Sequence, residues 1–297
     1  MTPLTTITRR QAILTATAAG ILAASKSQSR LSFGGYIWIN YAAREKKPIA
    51  ELLDELFATA PYGGFTNIEL SDPYFAPALR ERVLALTRQN GLSMPSVYVG
   101  GVMHERELAD QTIARALEIG ALCKQFGCKA VVHNPGSKAK GRKTDEDLAS
   151  QAQSLNRMGA ALQERGLQLR IHHHTTEMEE GAREWHNILK NTDPLLVTAC
   201  LDVELVHKGG IAPIDMVRET GARITELHLR NKRGLTPLES FDDGDIDYIE
   251  VASVLRELKI QPLLMIELAY HSDTVVTRSL KEDMRLSRIY AEKTFQL

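Results

Sequence analysis

Residues 167–174 read LQLRIHHH, so a short apolar segment runs directly into three histidines, and Glu177 follows shortly afterwards. Alternate residues of a β-strand point to the same side, so His172 and His174 share a face from which His173 points away. Neutral imidazole is the commonest transition-metal ligand in proteins and titrates near physiological pH. The segment therefore predicts a strand whose end carries catalytic or metal-binding side chains. The alternative is an exposed polar loop; an expression tag would be neither this short nor internal.

The same arrangement recurs along the chain. Other short apolar segments end in a histidine or an acid, namely 130–133 at His133, 198–202 at Asp202, 224–228 at His228 and 263–267 at Glu267. Each is nearly continuous and rich in branched residues, which is typical of a strand buried on both faces. The recurrence predicts a series of parallel strands.

Amphipathic helical stretches separate these strands. The clearest helical stretches are residues 105–126, 145–165, 248–258 and 277–291. Earlier units fit the same pattern, with strands predicted at 34–39, 65–70 and 93–99 and with helices beginning at Pro48 and Tyr74. About eight strand–helix units with right-handed crossovers predict an α/β fold of the (β/α)8 TIM barrel type.

The chain of 297 residues contains no linker or low-complexity tract, which predicts a single barrel domain over residues 31–297. Residues 1–30 form a separate segment, in which TRRQAIL (8–14) resembles a twin-arginine export signal. The apolar stretch 12–24 is too short to span a bilayer comfortably. We expect export by the twin-arginine route to the periplasm, with no membrane attachment of the mature protein. The alternatives are a disordered start or an amphipathic helix.

In a TIM barrel the carboxyl ends of the strands meet at one face, where active sites lie. The strand-end side chains would then be neighbours, which are His133, His172, His174, Asp202, His228 and Glu267. Carboxylates with imidazoles and without cysteine suit one divalent ion such as Mn, Co, Zn or Mg, of which we favour manganese. Such an ion acidifies a C–H next to a carbonyl, and a nearby carboxylate or histidine moves the proton. For His133 the alternative is an ordinary residue that caps a helix start.

Five short segments, in this order, carry a resemblance to a known family. They are FTNIEL (65–70), LDV with HKGG (201–203 and 207–210), ELHLRN (226–231), FDDGDID (241–247) and IEL (266–268). Together they resemble the xylose-isomerase-like barrels that include sugar phosphate isomerases and epimerases. The resemblance covers nearly the whole chain after the N-terminal segment. In ELHLRN, Arg230 and Asn231 replace the usual Lys and Asp.

The resemblance implies that Asp202, His228 and Glu267 bind the metal. Where the family has its first metal-binding glutamate, this chain has His172, and IHHHTTEM (171–178) resembles a histidine-rich variant of that strand. The fourth ligand is therefore Glu177, which we slightly favour because hard divalent ions prefer oxygen, or His172 itself. The histidine-rich strand is similar to that of inosose-dehydratase-like relatives, whose reaction eliminates water.

The resulting prediction is a metal-dependent sugar isomerase or epimerase, with a keto-sugar or inosose dehydratase as the alternative reaction. Glu177, Glu267, His172 and His174 are the expected catalytic residues, and the expected substrate contacts are Glu69, His133, His207 and Arg230. The substrate would be a small carbohydrate, and a homo-oligomer is compatible with the sequence.

Two other function classes are weaker alternatives. A barrel that binds sugar or metal without turnover would carry the same residues. An apurinic endonuclease needs a cationic face for phosphates, whereas the formal net charge is −1 and the pI about 6.8, so we expect no nucleic-acid partner. The three cysteines are not spaced as a zinc site or a disulfide framework, and buried free thiols are expected.

Overall fold

Eight parallel strands form a ring at the centre of the molecule in a computed structural model that describes residues 29–297. The predicted export segment therefore lies almost entirely outside the described residues. The barrel strands are Leu31–Gly34 (β1), Ile68–Glu69 (β2), Ser96–Tyr98 (β3), Ala130–His133 (β4), Gln168–Ile171 (β5), Val197–Asp202 (β6), Ile224–Leu229 (β7) and Leu263–Ile266 (β10). A short antiparallel hairpin, Lys232–Arg233 (β8) and Thr236–Pro237 (β9), lies between the last two barrel strands.

The strand order around the ring is β2-β1-β10-β7-β6-β5-β4-β3. Backbone hydrogen bonds also join the two ends of this order. The N–H of Ile68 donates to the carbonyl oxygen of Ser93 at 2.9 Å, and the N–H of Tyr98 donates to that of Leu70 at 3.0 Å. The ring is thereby closed, and the predicted TIM barrel is confirmed.

Helices surround the ring on the outside. In the described part of the chain they are Tyr36–Glu45 (α1), Leu53–Gly63 (α2), Arg80–Gln89 (α3), Arg106–Cys123 (α4), Asp145–Gln163 (α5), Thr175–Asn191 (α6), Val203–Lys208 (α7), Pro213–Thr220 (α8), Tyr248–Glu257 (α9) and Leu280–Phe295 (α10). The helix expected from Pro48 begins with a short 3-10 turn, Ile49–Leu52, which leads into α2. At Tyr74 the structure has a separate 3-10 turn, Asp72–Phe75, and α3 begins only at Arg80. None of the helices within residues 29–297 is long and apolar enough to cross a bilayer.

The first predicted strand, 34–39, is wrong, because the strand ends at Gly34 and α1 begins at Tyr36. The residues Ile37, Trp38 and Ile39 have high β-propensity, which is the reason for the error. In the structure Ile37 and Trp38 are buried in the core, and tertiary packing decides their conformation.

The outward faces of the strands and the inner faces of the helices form the apolar core. Val131, Leu169, Leu201 and Leu227 are fully buried members of it. The cysteines Cys123, Cys128 and Cys200 are buried and free, as expected. The inward faces of the strands are different in character, because several of them carry charged side chains.

Candidate active site

Four side chains from neighbouring strands converge at the carboxyl-terminal end of the barrel. They are His172 after β5, Asp202 at the end of β6, His228 in β7 and Glu267 after β10, and all four are buried. One potential ligand atom from each lies within 4.8 Å of all the others. The sequence predicted this convergence for all four residues.

Strand register explains why these residues meet. Asp202 lies directly beside His228 in the sheet, and Met265 lies on the other side of His228. Glu267 follows Met265 by two residues, just after the end of β10. The register between β6 and β7 shifts at Ala199 and Cys200, as at a β-bulge. Such a shift changes which residues of a strand face inward, and beyond it Asp202 is aligned with His228.

The distances within this group fit a single metal ion. Nε2 of His172 lies 3.9 Å from Oδ2 of Asp202 and 3.8 Å from Oε2 of Glu267, and Nδ1 of His228 lies 3.1 Å from the same Oε2. Ligands about 2.0–2.2 Å from a zinc-sized ion would be separated by about 3.3–3.6 Å at a tetrahedral angle, close to these distances.

The hydrogen bonding of His172 also suits a ligand. Among the described residues, neither ring nitrogen of His172 has a hydrogen-bond partner, although both are buried. A buried polar atom without a partner is costly, and a metal ion would satisfy it. Two imidazoles and two carboxylates are a donor set that Zn, Mn and Co accept.

Glu177 lies outside the group of four. It was expected to reach back from a loop, but α6 begins at Thr175, and Glu177 is in the first helical turn. Its Oε2 accepts a hydrogen bond from the backbone N–H of His174 at 2.7 Å, which is a helix-capping contact. Its Oε1 is buried and has no hydrogen-bond partner in the described chain. The structure brings His172, rather than Glu177, together with the other three candidates.

Arg230 places a permanent positive charge beside the four residues. Its Nη2 lies 2.7 Å from Oδ2 of Asp202 and 4.0 Å from Oε2 of Glu267, and its Nε lies 3.4 Å from Oε2 of Glu204. Burial alone would raise the pKa of Glu267, but the nearby His228 and Arg230 lower that pKa to about 2. Burial would also raise the pKa of Asp202, but Arg230 and His172 outweigh this effect and hold that pKa well below its usual range. Both carboxylates are thus ionised at neutral pH.

A cavity of about 560 Å³ reaches the group of four at Glu267. From the predicted site it is lined by Glu69, His174, Arg230 and Glu267. The volume is of the size that small-molecule sites have. Glu69 and Arg230, two of the four expected substrate contacts, are thus among the residues that line it.

His133 does not line the cavity, contrary to prediction. It is in register with the core residue Ile171, whereas the preceding Val132 is in register with Arg170, so His133 points away from the barrel axis. Its Nδ1 lies 2.6 Å from the carbonyl oxygen of Val99, and burial lowers its pKa to about 4. His133 is therefore a neutral structural residue, and it contacts the carbonyl group after β3 rather than a helix start.

His207 is also absent from the cavity lining, although the next residue, Lys208, belongs to it. His207 is half-buried within α7, where consecutive side chains are rotated by about 100° around the helix axis. One position in the sequence therefore decides which residue reaches the cavity.

Tyr98 was missed by the sequence analysis. It lies at the end of β3, lines the cavity, and packs edge-on against the ring of His172 with 5.6 Å between ring centroids. Burial raises its pKa well above the usual value, so its hydroxyl keeps the proton. Like the predicted residues, it stands at the end of a strand, and this position could have indicated that it belongs to the site.

Three residues that surround Glu69 in a buried polar group below the cavity were also not predicted, namely Ser96, Arg170 and Glu226. Oγ of Ser96 lies 2.5 Å from Oε2 of Glu69 and 2.8 Å from Oε1 of Glu226, and Nη1 of Arg170 donates to Oε2 of Glu226 at 2.7 Å. Barrel interiors are usually filled by branched apolar residues. Arg170 and Glu226 stand two residues before His172 and His228 in apolar strands, and this spacing was the signal for a shared inward face.

One hydroxyl proton cannot satisfy both carboxylates of this group. Ser96 donates its proton to one of them, and the second close oxygen contact requires a proton on the other carboxyl group. Burial, and then the nearby charge of Glu69, raise the pKa of Glu226 to about 7. Glu226 is therefore the group that holds this proton near neutral pH, and Ser96 then donates its own proton to Glu69.

Comparison with known proteins agrees with this geometry. The family model of the xylose isomerase-like TIM barrel matches residues 57–290, and the chain belongs to this family. An inosose dehydratase of Geobacillus kaustophilus is 23% identical over 222 residues, which cover 64% of this chain and 71% of the relative.

Solved structures show the same fold. A sugar phosphate isomerase/epimerase from Parabacteroides distasonis superimposes with a TM-score of 0.68 at 15% identity, over 92% of this chain and 96% of the other. An L-ribulose 3-epimerase superimposes with a TM-score of 0.66 at 16% identity, over 90% and 94% of the two chains. The names of these relatives agree with the expectation of an enzyme of the sugar isomerase, epimerase or lyase type.

Proposed function

We propose that this protein is a divalent-metal-dependent enzyme that removes a proton from the carbon next to a carbonyl group of a sugar or a cyclic polyol ketone. The observation that carries the proposal is the convergence of His172, Asp202, His228 and Glu267 beneath a cavity of small-molecule size. These four residues would hold the ion. A bound divalent ion would stabilise negative charge on the substrate oxygen as the neighbouring C–H loses its proton.

The side chains that line the cavity provide the remaining chemistry. His174 is solvent-accessible and reaches the cavity, so it is placed to take up or return a proton. Tyr98 keeps its hydroxyl proton and is placed to donate a hydrogen bond to a substrate oxygen. Arg230 offers a fixed positive charge on the same wall.

Elimination of water is the outcome that we favour over isomerisation. The position of His172 in the group of four makes this side of the site imidazole-rich, and the curated relative quoted above is an inosose dehydratase. In a dehydration the proton leaves the carbon next to the carbonyl, the hydroxyl on the following carbon departs as water, and a C=C bond forms. In an isomerisation or epimerisation the proton would return to the substrate.

The two outcomes can be distinguished by nuclear magnetic resonance in deuterated water. The manganese-treated protein would be incubated with an inosose and, separately, with ketohexoses, and the products would be identified after the metal is removed. We expect an unsaturated ketone and loss of water from the inosose, and no turnover after chelation. Turnover of either substrate that persists unchanged in the presence of a chelator would contradict the proposal.

A further inference from the structure

The two ring nitrogens of His228 face two different acids. Nδ1 lies 3.1 Å from Oε2 of Glu267, which belongs to the group of four, and Nε2 lies 3.4 Å from Oε1 of Glu69, which does not. When a divalent ion is bound, the imidazole of His228 is neutral and carries one proton, and only its unprotonated nitrogen can bind the ion. The position of that proton therefore decides whether Nδ1 is available to an ion shared with Glu267.

Glu69 is itself held in place from below. Its Oε2 lies 2.5 Å from Oγ of Ser96, the hydroxyl also contacts Glu226 at 2.8 Å, and Arg170 donates to Glu226 at 2.7 Å. All four side chains are buried, with Glu69 3% exposed and Ser96 fully enclosed. This arrangement leaves Glu69 little freedom to turn away from His228.

Glu69, Glu226 and His228 also lie close enough together to hold an ion of their own. Two contacts argue against that use. Arg170 already provides a positive charge at Glu226, and the hydroxyl of Ser96 lies between the two carboxylates. An ion at this place would also need Nε2 of His228 without its proton. These contacts do not favour a second metal site. They fit a group of residues that surrounds and supports the first one.

We propose that Glu69, held by Ser96, is a positioning residue that keeps Nε2–H of His228 directed towards itself and leaves Nδ1 for the divalent ion. A carboxylate that accepts the outer N–H of a metal-binding histidine fixes the ring and makes it a better ligand. The inference rests on the proposed metal-dependent function. It assigns Glu69 a role besides its predicted contact with the substrate.

The test compares Ser96→Ala with Ser32→Ala. Ser32 is a matched control, because it is fully buried, belongs to β1 in register with Met265, and has no hydrogen-bond partner for its hydroxyl among the described residues. Zinc affinity would be measured without substrate by competition with a chromophoric chelator. Loss of the carboxylate beside a metal-binding histidine usually weakens metal binding by about 10–100-fold, and we expect Ser96→Ala, which frees Glu69, to weaken zinc binding by up to about that factor. Ser32→Ala should stay close to wild type.

A second readout does not depend on affinity. In zinc-loaded protein with ¹⁵N-labelled histidine, the His228 ring should show a proton on Nε2 and none on Nδ1. Glu69→Gln is a further variant with nearly the same shape, and the loss of its charge should weaken zinc binding even if Ser96→Ala fails to fold.

Equal zinc affinity in Ser96→Ala and Ser32→Ala would overturn the positioning role of Glu69, and so would zinc bound to Nε2 of His228. Neither result would contradict the metal site itself. Failure of the wild-type protein to bind zinc or manganese would instead overturn the proposed function, and the positioning role with it.

Discussion

Nη2 of Arg230 lies 2.7 Å from Oδ2 of Asp202, so one of the four candidate metal ligands already has a cationic partner in the protein. Arg230 also lies near Glu204 and Glu267, and all of these acids are buried. In the absence of a metal ion, this guanidinium group offsets much of their repulsion. A divalent ion would add positive charge to a site that Arg230 only partly neutralises.

This relationship predicts how Arg230→Met will behave. With a chelator present, we expect the free energy of unfolding to fall by about 3–5 kcal/mol, because removal of one partner leaves buried charges uncompensated. Added manganese should then raise the melting temperature more in the variant than in the wild type, since the ion replaces part of the missing charge. The measurement is thermal unfolding with and without manganese. An equal metal-induced shift in both proteins would show that Arg230 and the ion do not act on the same acids.

The cavity wall predicts a separation between metal binding and proton transfer. We expect His174→Asn to keep its metal and to slow solvent exchange next to the substrate carbonyl by about 10²–10⁴-fold, the usual contribution of a general acid or base. Glu267→Gln should lose both metal and exchange, because its carboxylate belongs to the group of four.

The measurement is deuterium incorporation or product formation together with metal content. Glu257→Gln is a control for Glu267→Gln, because Glu257 is exposed, pairs with Arg218, and lies outside the cavity. If His174→Asn retained full exchange, another residue would have to carry the proton.

The buried His133 predicts a pH dependence of stability in the metal-free protein. Its pKa is about 4 in the folded state, below the ordinary value of about 6.5, so the unfolded chain binds the proton more readily. The contribution of His133 is complete above pH ~6.5 and is lost as the pH falls towards 4, by up to about 3 kcal/mol.

Urea unfolding of the wild type and His133→Asn across this pH range, with a chelator present, measures the effect. The variant should lose less stability than the wild type as the pH falls. Parallel curves would contradict a neutral, buried His133.

Much of the fold was predictable because each strand–helix unit carries its own local signal. The apolar segments ending at Asp202, His228 and Glu267 gave both the strand positions and the residues that meet at the barrel face. Parallel strands place their carboxyl ends together whatever the details of packing. For this reason the convergence of the site could be predicted without knowing the register.

Most of the remaining features depend on contacts between distant residues, and one depends on a local capping contact. The sequence from Tyr36 has strand-like composition, but core packing makes it helical. Glu177 was expected in a loop, whereas its capping contact with His174 makes it part of a helix. The contact between Ser96 and Glu226 depends on the register of the whole ring, which no local pattern reveals. The proposed periplasmic location stays a prediction, because its signal lies before the described residues.

The central claim is that His172, Asp202, His228 and Glu267 hold the metal ion. The most direct measurement is the metal affinity of His172→Ala and Glu177→Gln, with the wild type as reference. Glutamine at position 177 keeps an oxygen that can accept the hydrogen bond from the N–H of His174, so the start of α6 should be preserved. We predict that His172→Ala binds manganese or zinc at least about 10²-fold more weakly, because a buried ligand is lost, and that Glu177→Gln binds it nearly as the wild type does. Loss of the metal from Glu177→Gln together with its retention in His172→Ala would contradict this assignment.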